Sequence, residues 1–328
     1  MPEPQSPTVP TDQSAKHVRW QRPALLFILT LISTTWVGAE MEGLDLIDIG
    51  TRQGLAAGFT SFLRGWPFSI PLMTILLAHE LGHYIAGRIH DVDISLPHFI
   101  PMPLSMLGTM GAVIGMGGRI ETRNALLDVG ASGPLAGLCF ALPLLIFGIA
   151  QSPIQPVEVG GAYLLEGHSI LYETLLYLLK GPIPAGYDIF LTPTAFAAWA
   201  GLLVTMINLI PVGQLDGGHI AYALFGPAQN RYGRIVRNML PVIAISTSAW
   251  LAFAAWRAGS SWERISSEAQ GGIHWMVWFI VLLVMARFSG SDHPPTNEGE
   301  LSPRRRIIAI GTLEIFVLIF MPAWVRSA

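Results

Sequence analysis

Seven apolar runs, at roughly 23–40, 67–90, 128–150, 193–225, 238–256, 272–288 and 307–325, set the terms on which this chain can fold. About 20 consecutive apolar residues are needed to cross a bilayer as a helix, and most of these runs reach or approach that length. Only 12% of the 328 residues are charged and 52% are hydrophobic. Mean hydropathy is +0.50. Soluble domains carry about 25% charged residues, so the composition excludes an ordinary water-soluble globule. Lipid offers backbone groups no hydrogen bonds, so each spanning run must be helical. The expected fold is therefore an all-α polytopic membrane protein of about six to seven transmembrane helices, in contact with the lipid bilayer. The fourth run is too long for one span and contains Pro211, Gly213, Gly217 and Gly218, which predicts a break near Pro211. The connections 43–65 and 151–190 have some apolar character and room for interfacial helices.

Charge placement orients this map. Lys16, Arg19 and Arg22 precede the first run, while Arg231, Arg234, Arg237, Arg287 and Arg304–Arg306 fall in alternate connections. Under the positive-inside rule these sides are cytoplasmic, as is the N-terminus. The connections 43–65, with Asp45 and Asp48 against Arg52 and Arg64, and 151–190, with Glu158, Glu166, Glu173 and Asp188 against Lys180, then lie outside. A net charge of −3 gives no reason to expect a nucleic-acid partner. The Pro/Ser/Thr-rich beginning lacks the features of a transit peptide, which favours a bacterial cytoplasmic membrane over a plastid one. Four regions are expected: a disordered cytoplasmic tail at 1–22, a first span with its external connection at 23–66, a catalytic membrane core at 67–225, and C-terminal transmembrane helices at 226–328. The single cysteine, Cys139, lies in an apolar run and is expected to be a small core residue.

Inside the second run stands "LLAHELGHYIAG", residues 76–87, with three polar groups where lipid makes them costly. On a helix, residues four apart share a face, so His79 and His83 can aim two imidazoles at one metal ion. Glu80, beside the first of them, can reach a water held there. His-Glu-x-x-His is the zinc-hydrolase arrangement, in which the glutamate serves as general base. The alternative for these residues is a water cavity or proton path. A hydrolytic zinc site wants a third protein ligand and one open position. Asp216, the one acidic residue of the fourth run, follows its Pro/Gly-rich break. In the charge-derived map it lies at the same depth as the two histidines. Its alternative is an exposed aspartate at a turn.

Two motifs together, "HELGH" and "NLIPVGQLDGG", resemble the site-2 protease family of intramembrane zinc metalloproteases. "GASGPLAG" (130–137) is similar to the family's small-residue motif, with Gly133 and Gly137 read as letting helices pack closely. The resemblance implies one Zn2+ per chain held by His79, His83 and Asp216, with Glu80 as catalytic acid/base. It also implies that Asn208 holds substrate or the developing oxyanion; a helix-end cap is the alternative for that residue. Transmembrane proteins would be the substrates, cut near the cytoplasmic face. The Pro/Gly-rich stretch 94–120 is a poor spanning helix, and 107–118 is read as a re-entrant β-hairpin, which family members place beside the active site, with a plain interfacial loop as the alternative. An unwound substrate can pair along such an edge. His219 would overfill a metal site that must keep an open position, His98 is expected at the membrane interface, and "DHPP" (292–295) is assigned no chemistry. A transporter with buried polar residues and an inactive scaffold are the competing functions; the first predicts repeated polar sites, which the sequence lacks.

Overall fold

A computed structural model describes residues 20–43, 52–118, 120–157, 163–290, 292–297 and 299–327. The tail expected at 1–22 lies outside the described residues up to residue 19, as do Asp45, Asp48 and Glu158 of the two connections expected outside. Where the tail was expected to end, α1 has already begun: it runs Gln21–Met41.

Helices occupy all seven apolar runs. After α1 come α2 (Arg52–Leu63) and α3 (Trp66–Ile89), then the short strands β1 (His98–Pro101) and β2 (Thr109–Val113). The 29-residue α4 (Arg123–Gln151) follows; Thr122 starts it by accepting a hydrogen bond from the Ala125 N–H. The next connection holds β3 (Ile154–Pro156), β4 (Leu164–Glu166), α5 (Ile170–Lys180) and β5 (Tyr187–Ile189). The fourth apolar run becomes α6 (Pro193–Asn208) and α7 (Asp216–Phe225), and the chain closes with α8 (Ala228–Arg257), α9 (Trp262–Glu268), α10 (Ile273–Ser289), α11 (Pro303–Ile319) and β6 (Val325–Ser327). The two connections marked for extra helices contain α2 and α5.

The span count differs from expectation. Among the described residues, four stretches are long and apolar enough to cross a membrane: α1, α4, α8 and Trp262–Phe288. A fifth is reached by joining the end of α2 to α3 across a 43° bend. By length and apolarity these helices do not confirm six to seven, for a physical reason. The break at 209–215 leaves α6 with 16 residues, about 24 Å of helix against a hydrocarbon core of about 30 Å. The 17 residues of α11 open with three arginines.

Three helices form the centre. α3, α4 and α6 pack on one another, with Phe68, Leu72 and Ile75 of α3, Leu126, Leu127 and Leu145 of α4, and Trp199 of α6 fully covered. In lipid, apolar side chains gain little by leaving the solvent, so helix association depends on close van der Waals contact at small residues. The run of Ala197, Ala198, Ala200 and Gly201 on α6 provides that surface. α8 is the opposite case: Ile245 and Trp250 are 65% and 69% exposed, as a lipid-facing helix requires. Cys139 is exposed on α4 rather than buried. A lipid-facing position is as apolar as a core, so hydropathy did not distinguish the two.

Strands β1 and β2 pair antiparallel, His98 opposite Val113 and Phe99 opposite Ala112, and an isolated bridge joins Ile94 to Met116. The hairpin expected within 107–118 therefore places one arm there and the other upstream, with His98 at the start of β1. It lies along α1: Ser33 Oγ donates to Gly108 O at 2.6 Å, and Phe27 meets Phe99 edge-on at 5.2 Å. At one end of the bundle the arginines gather. Arg234 pairs with Asp292 at 2.6 Å, Arg123 Nε donates to Ala223 O at 2.8 Å, and Arg305 grips Asp128 with two nitrogens at 2.8 and 2.6 Å.

Candidate metal centre

The four-residue spacing on α3 does what helical geometry requires. His79 and His83 set their rings edge-on to each other on one face, Nε2 to Nε2 at 3.2 Å. Asp216 opens α7, immediately after the irregular segment 209–215 that the proline and glycines create. A side chain on Gly217 would overlap Leu209 O, so the turn that delivers the aspartate is closed against the end of α6. Asp216 Oδ2 stands 3.2 Å from His79 Nε2 and 3.3 Å from His83 Nε2. Among the described residues these three form the group able to hold a metal ion. All three side chains are largely covered, 5%, 12% and 16% exposed. Residues 137 positions apart in sequence are thus joined into one site.

The donor set fits zinc. With bonds of about 2.0–2.1 Å, two ligands at a tetrahedral angle stand about 3.3 Å apart, which matches the spacing of all three pairs. Two imidazoles and one carboxylate leave the fourth position open, the composition of hydrolytic rather than structural zinc sites. The hydrogen bonding fits too. His83 Nδ1 donates to Val129 O at 2.7 Å. A carbonyl only accepts, so the proton is fixed on Nδ1 and the lone pair of Nε2 is turned toward Asp216 and His79; metal-binding histidines are oriented in this way.

Glu80 is buried, 8% exposed, and adjacent to His79 in sequence. Asn208, the last residue of α6, brings Nδ2 to 3.3 Å from His79 Nε2. Every residue singled out by the two motifs is therefore at this one place. "GASGPLAG" contributes more than helix packing: a methyl group on Gly133 would overlap His83 Nε2 itself.

His219, which the sequence excluded as a ligand, is not in the ligand set. What the sequence reading missed is its partner. His219 Nδ1 is 2.7 Å from Nε2 of His293, in the "DHPP" stretch that was assigned no chemistry. Their separation of 74 residues left no periodic signal that could have paired them.

A family model for peptidase family M50 matches residues 67–251, so the chain belongs to that family, the site-2 proteases. Zinc is the metal this membership implies. The chain is 32% identical over 200 residues to the probable zinc metalloprotease EGY2, chloroplastic, of Arabidopsis thaliana, covering 53% of this chain and 35% of that protein. It is 27% identical over 266 residues to Arabidopsis EGY1, with 79% and 43% covered. To rice (indica) EGY3 it is 35% identical over 272 residues, with 74% and 44% covered. The chain thus spans about a third to less than half of the length of these relatives. No solved structure matches. The relatives correct one expectation. All three carry "chloroplastic" in their names and come from plants, which overturns the bacterial cytoplasmic membrane. The missing transit-peptide features were the wrong basis for that placement.

Proposed function

We propose that this chain is an intramembrane zinc endopeptidase that cuts membrane-embedded segments of other proteins. The convergence of His79, His83 and Asp216 beside a buried Glu80 carries the reading. The names of its relatives support a zinc metalloprotease of the chloroplast, and its long apolar helices support a membrane setting. In this reading the cut lies toward the arginine-bearing end of the bundle, supported by Val129, which orients His83 and directly follows the Asp128 that Arg305 holds.

Zinc bound by these three residues supplies a Lewis acid that acidifies water and polarises a carbonyl. The chain's own groups do the rest. Glu80 takes a proton from the attacking water and returns it to the leaving amine. Asn208 Nδ2 donates to the oxygen on which negative charge develops. Val129 O keeps the His83 ring in the tautomer that presents Nε2. A helical peptide bond is shielded by its own turn, so the substrate must be unwound. The hairpin β1–β2, a sheet of two strands, offers an edge along which an extended segment can add.

The test compares wild type with Glu80→Gln by metal analysis and cleavage of a transmembrane peptide. Zinc in both and cleavage by the wild type alone are expected. Cleavage that persists in the variant removes Glu80 from its role, and ion flux through liposomes without cleavage favours a transporter.

A further inference from the structure

The connection between α10 and α11 crosses the arginine-bearing end and fastens the helix that carries Asp216. Asp292 pairs with Arg234 of α8. The His293 N–H donates to Asn230 Oδ1 at 2.9 Å, also on α8. The His293 ring stacks on Tyr222 of α7 with centroids 4.2 Å apart. Farther along, the Asn297 N–H donates to Glu121 O at 2.7 Å, and Arg305 reaches Asp128. The segment therefore touches α8, α7 and the residue just before the Thr122 cap of α4, and α11 beyond it reaches α4 itself.

Its hydrogen bonds fix the protons. His293 Nδ1 lies 2.7 Å from Pro294 O, which only accepts, so Nδ1 carries the hydrogen. In the neutral ring Nε2 is then an acceptor. It faces His219 Nδ1 at 2.7 Å, so His219 is the donor. Both rings are buried, 5% and 7% exposed, where an unpaired N–H is costly. His219 sits three residues after Asp216, on the neighbouring position of the same α7 face. From the other side α4 closes on it: a Cβ on Gly130 would lie 2.9 Å from His219 Cβ and 3.4 Å from Asp216 O. His219 is thus held between α4 and His293, and the turn bearing Asp216 is held with it.

We propose that His293 is a positioning residue for the metal site: through His219 it holds the first turn of α7 where Asp216 meets His79 and His83. This rests on the metal-binding reading above. It gives His219 a place beside the site without making it a ligand, and gives "DHPP" a task.

The test is cobalt(II) titration of the full chain in detergent, followed by visible absorption, for wild type, His293→Gln, His293→Asn and His79→Ala. Glutamine places its amide oxygen near the position of Nε2 and can accept from His219; asparagine is too short. Wild type and His293→Gln are expected to bind cobalt within about threefold of each other and with the same spectrum. His293→Asn is expected to weaken binding by up to roughly 10-fold, the lower end of the cost of losing a group bonded directly to a ligand, since His293 acts one residue further out, with altered bands. Equal affinity and spectra in the Gln and Asn variants overturn the proposal while the metal site stands. No cobalt uptake by wild type, or full uptake by His79→Ala, overturns both.

Discussion

Gly133 of α4 and His83 of α3 share one volume: the space a methyl group on residue 133 would fill is taken by the Nε2 atom that faces Asp216 and His79. The small-residue motif therefore admits a ligand as well as a neighbouring helix. At this position backbone packing and metal chemistry are one constraint.

The first expectation follows directly. Gly133→Ala must either push the His83 ring out of the site or force α3 and α4 apart. Overpacking of this kind costs about 1–3 kcal/mol. Zinc affinity is expected to fall by at least about fivefold, that cost expressed as a binding constant. At Gly137 the added Cβ would lie 3.3 Å from His79 Cβ, a tight contact with no direct overlap. Gly137→Ala should therefore be milder. Equilibrium zinc competition on both variants checks the order, and equal losses would contradict it.

Asn208 separates a chemical role from a capping one. Removing an oxyanion donor costs about 10²–10³ in kcat. Asn208→Ala is expected to lose about 100-fold in kcat for a transmembrane peptide while retaining its zinc. Loss of zinc in step with activity would make the residue a structural end to α6.

A pH dependence follows from His293. Burial holds its imidazole below the ordinary value of 6.5, although its hydrogen bond to Pro294 O acts in the other direction. Its neighbours are His219, Tyr222, Asn230 and the Asp292–Arg234 pair. As pH falls below 6.5, the unfolded chain takes up a proton that the native loop resists. The contribution to stability is thus complete above 6.5 and is lost as pH drops toward the lower folded value. Thermal unfolding at pH 7.5 and 5.5 should show a larger loss for wild type than for His293→Gln, which has no proton to take up there. Parallel losses would contradict this.

What could be read in advance was local. A spacing of four on a helix places His79 and His83 together whatever surrounds them, and the proline and glycines of 211–218 announce the break before Asp216. The hairpin was legible in one arm only, because "PHFIPMP" reads as a loop until Ser33 and Phe27 of α1 give it something to lie against. His293 belongs to a polar connection without periodicity, and its meaning comes from a partner brought to it by the packing of α7 and α8. The span count went unconfirmed where hydropathy alone could not show that α6 stops at 16 residues.

Zinc K-edge X-ray absorption, with metal stoichiometry, on purified full-length protein reaches the central claim most directly. One zinc per chain is expected, with nitrogen and oxygen neighbours alone at about 2.0–2.1 Å and the signal abolished in Asp216→Ala. A sulfur neighbour near 2.3 Å, or an undiminished zinc signal in Asp216→Ala, would contradict the assignment of His79, His83 and Asp216 as the ligands.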